Sequence, residues 1–330
     1  MINESNKFKK IAAKLKEANS VAITIHVQPD GDALGSLLAM TLYLKRLGKA
    51  VCATWGEEIR IPAHYTWLPG IDAIRAFSSC IEADVLLTLD CANAHRLGLL
   101  EEKLPVFKTV INIDHHIDNS RFGTINLLDF DAAATCEIIY DLLQVMEADI
   151  TPDIATLLYA GIVTDTGRFQ YQNTTAKTLR AAADLVDHGV SPNAIFEKIY
   201  ENTSFASLKL LARILERAEH VEQSGFIYSY VLDSDLKELD ISMSDTETYI
   251  DYLRTAKEAS VAGIFKETPD GKLKVSLRSK GVIDVGTIVR EAGGGGHRNA
   301  AGGTLDMSIP EAVKWISSRV LAQKAASATR

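Results

Sequence analysis

The most constraining feature of this sequence is an alternation. Short apolar, β-branched runs recur, and each stops abruptly at Asp or His. Residues 21–25 run into His26, 84–89 into Asp90, and 109–113 into Asp114-His115-His116; 50–55 reads as a further strand. Such runs suit strands buried on both faces. Between and after them come stretches with helical apolar spacing. One covers 32–47 and stops at Gly48. Others cover 135–146, 153–163 behind Pro152, and 174–188 before Gly189. Proline near a helix start and glycine just past its end are the usual punctuation. This pattern predicts an α/β fold whose parallel sheet is covered by helices on both faces.

From Phe226 the texture changes. Residues 227–231 and 272–278 alternate apolar and polar positions, which predicts half-exposed strands, with a turn at Pro269-Asp270-Gly271. At roughly 150 residues per domain, 330 residues make about two. The reading is a first domain over 1–190, a helical connector over 191–214, and a smaller mixed α/β domain over 215–330. Segment 191–220 is largely helical in pattern, with polar breaks near Asn202-Thr203.

Charge narrows the partners. There are 43 acidic against 35 basic residues, a net charge of −8. That balance opposes wrapping a long nucleic acid or holding a membrane surface through basic residues. A small anionic substrate remains compatible. Cys52, Cys80, Cys91 and Cys136 form no CxxC pair, and their apolar surroundings predict buried free thiols in a reducing compartment. The start lacks the order of a secretory signal, and no apolar run is long enough to span a membrane. A cytoplasmic protein is expected, and a homodimer is compatible with it.

The chemistry lies at the ends of the core elements. His26-Val27-Gln28-Pro29-Asp30-Gly31-Asp32 links a strand to a helix. Its imidazole and two carboxylates can ligate divalent cations, while Asp32 can equally serve as a helix cap. Asp90 and His115 end two further strands, and Asp165 ends an apolar helix, where its charge opposes the helix dipole. Gathered on one face, these carboxylates would repel unless cations lay among them. Imidazole and carboxylate without thiolate suits Mn²⁺, with Mg²⁺ or Co²⁺ as substitutes. Two such ions are the usual apparatus for phosphoester hydrolysis. Near the C-terminus, the run Gly293 to His297 followed by Arg298 offers backbone N–H groups and a guanidinium to a phosphate. Arg278 is a second candidate for that phosphate.

His26-x-x-Pro29-Asp30-x-Asp32, Asp90, Asp114-His115-His116 and Asp165-Thr166-Gly167 resemble the four motifs of the DHH phosphoesterase superfamily. Gly294-Gly295-Gly296-His297 before Ala300-Ala301-Gly302 resembles the signature of the DHH-associated domain. The length is similar to that of the bifunctional oligoribonucleases that also dephosphorylate 3′-phosphoadenosine 5′-phosphate. The resemblance implies one Mn²⁺ on His26, Asp30 and Asp90, and another on Asp32, Asp90, His115 and Asp165. Asp114 would orient a histidine, and His116 would contact the scissile phosphate. Gly295, Gly296, His297, Arg298 and Arg278 would bind substrate. Short oligonucleotides and small phosphonucleotides are the implied substrates. Hydrolysis of cyclic or linear di-adenylate is the alternative, and a non-catalytic nucleotide sensor is the alternative of another class.

Overall fold

The structure, a computed structural model, describes every residue except 1, 81, 247, 269, 297, 329 and 330. His297 and Pro269, both singled out above, therefore lie outside the described residues. The chain divides into two compact units, Met1–Asn202 and Thr203–Arg330.

The first unit runs α1 (Ile2–Glu17), β1 (Ser20–Ile25), α2 (Gly31–Arg46), β2 (Ala50–Trp55), β3 (Val85–Leu89), β4 (Val110–Asp114), β5 (Ile125–Leu128), α3 (Thr135–Val145), α4 (Pro152–Asp165), α5 (Ala176–Asp187) and α6 (Pro192–Tyr200). Its five strands are all parallel, in the order β2-β1-β3-β4-β5. The chain leaves β1 toward β2 on one side and returns at β3 on the other. In open α/β sheets ligands bind at such a switch, outside the carboxyl ends of the strands, here those of β1 and β3. β3 and β4 are buried along their whole length, which explains their unbroken apolar texture. β5 was not legible, because four residues are too few to show a period.

α2 and α4 cross close together, and two glycines permit it. A Cβ on Gly35 of α2 would lie 2.5 Å from the Leu157 carbonyl oxygen of α4, and one on Gly161 of α4 would lie 3.0 Å from Asp32 Oδ1 of α2 and 2.3 Å from Cys136 Sγ of α3. Backbone cannot yield as a side-chain tip can. Gly35→Val should therefore destabilise this unit by about 3 kcal/mol. A lowered denaturant midpoint at unchanged slope is the expected reading; an unchanged midpoint would show that the helices part freely.

The second unit runs α7 (Phe205–Glu216), β6 (Glu219–Val221), β7 (Phe226–Val231), α8 (Asp233–Leu239), α9 (Ile250–Arg254), β8 (Val261–Glu267), β9 (Leu273–Ser279), α10 (Val285–Arg290), β10 (Gly295–Gly296), β11 (Ala300–Leu305) and α11 (Ile309–Ala328). The mixed sheet has the order β10-β11-β9-β8-β7-β6, with β7 and β8 parallel.

Three expectations need correction. The strand expected over 227–231 is not half-exposed. Phe226 and Tyr228 enter one core with α10 and α11, while Ile227 and Val231 enter another with α7, α8 and α9. Helices on both faces remove the solvent side that alternation implied. Segment 191–220 breaks between α6 and α7, around the expected Asn202-Thr203, but it ends in β6 rather than in helix. Nor are all four cysteines free. Cys52 on β2 and Cys80 on the 3-10 turn Phe77–Cys80 form a disulfide with 5.4 Å between their Cα atoms; Cys91 and Cys136 are free and buried. The 28 residues between the partners hide the pairing from any local spacing rule. No described helix is long and apolar enough to cross a membrane.

Candidate metal centre

β1, β3 and β4 deliver His26, Asp90 and Asp114 to one end of the sheet, and α4 delivers Asp165 as its last residue. Asp90 lies between two groups. Its Oδ2 stands 3.4 Å from His26 Nε2, which is 3.9 Å from Asp30 Oδ2. Its Oδ1 stands 3.5 Å from His115 Nε2. That nitrogen is 3.6 Å from Asp165 Oδ2 and 4.0 Å from Asp32 Oδ2. Potential ligand atoms lie within 4.8 Å of one another in each of three groups: His26, Asp30 and Asp90; Asp32, His115 and Asp165; and Asp90, Asp114, His115 and His116. All six sequence-derived ligand candidates are thus brought together.

The imidazoles are aimed. His26 Nδ1 lies 2.8 Å from the Val27 carbonyl oxygen and His115 Nδ1 lies 3.4 Å from that of Ala132. A carbonyl only accepts, so Nδ1 carries a proton and Nε2 is the ring atom that faces carboxylate oxygens. Lone pair against lone pair is repulsive unless a proton or a cation lies between. Burial, then the charges of Asp90 and Asp165, pushes Asp32 well above the usual carboxylate range. Asp165 is pushed up by burial and by Asp90 and Asp30. Burial also works against Asp90, yet the His26 hydrogen bond and the charges of His26, His115 and His116 hold it well below that range. The donor set therefore fits divalent cations, which relieve the frustration of Asp32 and Asp165.

Asp32 does not act as the helix cap. Asp30, not Asp32, caps α2: its Oδ1 accepts from the N–H groups of Asp32 and Ala33. Asp32 instead reaches the start of α3, accepting from Thr135 N at 2.6 Å and Cys136 N at 2.8 Å. The positive end of α3 thereby offsets part of the repulsion. The same turn sends Thr135 Oγ1 to Asp90 Oδ1 at 3.0 Å. Nothing in the sequence signalled Thr135.

A buried polar network supports β4. Asp114 is fully buried and accepts from His115 N, from His116 Nδ1 at 2.8 Å and from Asn119 Nδ2 at 2.6 Å. Asn119 also donates to Asn112, which donates to Thr88. Asn112 was visible as a polar residue inside an apolar run. Burial disfavours the charged His116 ring, but the Asp114 hydrogen bond and the charges of Asp90 and Asp114 raise it to about 9.

Beyond Asp165 the chain makes a strained turn. Gly167, Arg168 and Phe169 all take positive φ, at 54°, 66° and 62°. The two side-chain-bearing residues cost about 1–2 kcal/mol each. Buried Thr166 holds the turn, accepting from Gln170 N and Tyr171 N through its carbonyl and from Phe169 N through Oγ1.

In the second unit, Gly295 and Gly296 form an edge strand paired with Gly302 and Ala301 rather than a linker, and Arg278 pairs with Ala300 on the neighbouring strand. Gly296 has no room for a side chain, since a Cβ would sit 2.5 Å from the Ala300 carbonyl oxygen; above Gly295 the space is open. Arg298 is exposed and donates to the Val282 carbonyl oxygen. Among the described residues, no carboxylate pairs with Arg278 or Arg298.

A parallel sheet carrying this histidine–carboxylate centre defines the class, a phosphoric ester hydrolase. Residues 20–162 match the DHH family, N-terminal domain, and residues 223–322 match the DHHA1 domain. The chain belongs to the DHH family. It is 34% identical to the bifunctional oligoribonuclease and PAP phosphatase NrnA of Thermus thermophilus, across 91% of this chain and 88% of that one. It is 28% identical to the protein of the same name from Bacillus subtilis, across 87% and 90%. Among solved structures it resembles an exopolyphosphatase-related protein from Bacteroides fragilis, with TM-score 0.90, 25% identity, and coverage of 96% and 95%.

Proposed function

We propose that this protein hydrolyses short oligoribonucleotides to mononucleotides and removes the 3′-phosphate of 3′-phosphoadenosine 5′-phosphate, using two divalent cations, Mn²⁺ foremost. The observation that carries this reading is Asp90, with one carboxylate oxygen toward His26 and Asp30 and the other toward His115 and Asp165. The names of the Thermus and Bacillus relatives support the choice of substrates.

His26, Asp30 and Asp90 hold one ion; Asp32, Asp90, His115 and Asp165 hold the other. Bound there, such ions supply an activated water and neutralise phosphoryl oxygens. The protein's own groups do the rest. Asp114 fixes the His116 ring through Nδ1, leaving Nε2 to meet the scissile phosphate and protonate the leaving oxygen. Arg278, Gly295, Gly296, His297 and Arg298 take the substrate's terminal phosphate or nucleoside.

The test is a panel in Mn²⁺: dinucleotides through long RNA, 3′-phosphoadenosine 5′-phosphate, and cyclic and linear di-adenylate. Rates should be highest on dinucleotides and fall with length, with phosphate released from 3′-phosphoadenosine 5′-phosphate. Turnover of cyclic di-adenylate alone would move the assignment to the di-adenylate reading. Tight nucleotide binding without turnover in any divalent ion would make the protein a sensor.

A further inference from the structure

Two segments hold the group of Asp32, His115 and Asp165, and one side-chain amide joins them. The first segment is the turn 132–136 that leads into α3. Its Ala132 carbonyl oxygen faces His115 Nδ1 at 3.4 Å. Thr135 N and Cys136 N donate to Asp32 at 2.6 and 2.8 Å, and Thr135 Oγ1 donates to Asp90 at 3.0 Å. The second segment is the end of α4, where Asp165 Oδ2 lies 3.6 Å from His115 Nε2.

Asn173, just ahead of α5, ties the two together. Its Nδ2 donates to the Ala133 carbonyl oxygen at 3.0 Å and to the Asp165 carbonyl oxygen at 3.2 Å. Both acceptors need such a donor. Ala133 is fully buried, and a buried carbonyl without a partner is costly. Asp165 is the last residue of α4, where a helix leaves its carbonyls unpaired. An amide nitrogen carries two hydrogens, so one side chain serves both. The reverse orientation would set an amide oxygen against two carbonyl oxygens. Among the described residues, Asn173 Oδ1 is buried with no hydrogen-bond partner. An amide kept with its acceptor unpaired points to its two donors as the reason for it.

The other group is held differently. His26 is fixed by the Val27 carbonyl oxygen, and Asp30 by the N–H groups of Asp32 and Ala33. We infer that Asn173 is a positioning residue for one of the two cations, that of Asp32, Asp90, His115 and Asp165, and that its two N–H bonds set the spacing between Asp165 and the other three ligands. The inference rests on the two-cation reading above. All four ligands of that ion are held by the segments Asn173 joins; of the three for the other ion, only Asp90 is.

Calorimetry of the full chain with Mn²⁺ alone, without substrate, tests this. Wild type should bind two ions. Asn173→Leu keeps most of the volume and removes both donors; Asn173→Ala removes the volume as well. Each should bind one ion about tenfold more weakly, the usual effect of losing a group that orients a metal ligand, and the other within about threefold of wild type. Thr151→Ala is the control. It removes the cap at the far end of α4, where Thr151 Oγ1 accepts from Ile154 N, so it should lower the unfolding midpoint and leave both affinities unchanged. Selective loss of one ion is a result that general loosening of the unit does not give. Wild-type affinities in both Asn173 variants would overturn the inference, as would equal weakening of both ions or the same loss in Thr151→Ala. Wild type that takes up no divalent cation overturns the two-cation reading, and the inference falls with it. Wild type with two ions beside unaltered variants overturns the inference alone.

Discussion

Replacing Asp90 with asparagine should lower kcat/KM at least a thousandfold while leaving the fold intact. The carboxylate is 2% exposed, and its two oxygens face separate groups, His26 with Asp30 and His115 with Asp165. Asparagine keeps the shape, retains an acceptor for Thr135 Oγ1, and tolerates the left-handed φ of 55° at this position. It presents a neutral amide in place of the anion proposed to serve both ions. A loss of about a thousandfold corresponds to about 4 kcal/mol of transition-state stabilisation, in keeping with the several kcal/mol expected of a cation clamp. Asp90→Ala should lose as much and should also leave Thr135 Oγ1 without its acceptor inside the core. Steady-state rates with circular dichroism decide the matter. A folded Asp90→Asn enzyme within tenfold of wild type would remove the shared-ligand assignment.

Removing divalent cations should have a comparable effect. A chelator should abolish turnover, and Mn²⁺ should restore it, with Mg²⁺ or Co²⁺ in partial substitution. A second readout does not involve catalysis. Asp32 and Asp165 are frustrated as free carboxylates, so ions that bind only the folded chain should stabilise the first unit. At a thousandfold excess over the dissociation constant, one ion contributes about 4 kcal/mol. For a unit of this size that is a rise of roughly 10 °C in the unfolding midpoint. Asp90→Asn should lose most of this rise. A midpoint that Mn²⁺ leaves unmoved, or full activity in chelator, would contradict the metal centre whatever the substrate.

Much of this centre was legible in the sequence. A parallel strand buried on both faces has no place for a charge except at its end, so His26, Asp90 and Asp114 marked where β1, β3 and β4 leave the core. Helix punctuation worked equally well for α4, which starts at Pro152, and for α5, which stops before Gly189. A strand of small residues fared worse. Ala300-Ala301-Gly302-Gly303 carries no alternation of apolar and polar residues, yet β11 forms there because β9 on one side and the glycine edge strand on the other supply its hydrogen bonds.

By itself, then, the sequence determined the alternation of strands and helices, the parallel sheet and the candidate ligands. These follow from rules that act within a few residues: side-chain period, β-branching and caps. Tertiary structure alone decided which aspartate caps α2 and which one reaches Thr135 and Cys136, 103 and 104 residues away. It also decided that the two oxygens of Asp90 face different groups, that Cys52 meets Cys80, and that Tyr171 lies on Gly167. The physical reason is common to all four. Each depends on the direction of a side chain toward a partner that no local rule can see, and packing sets that direction only once the sheet and its helices have closed.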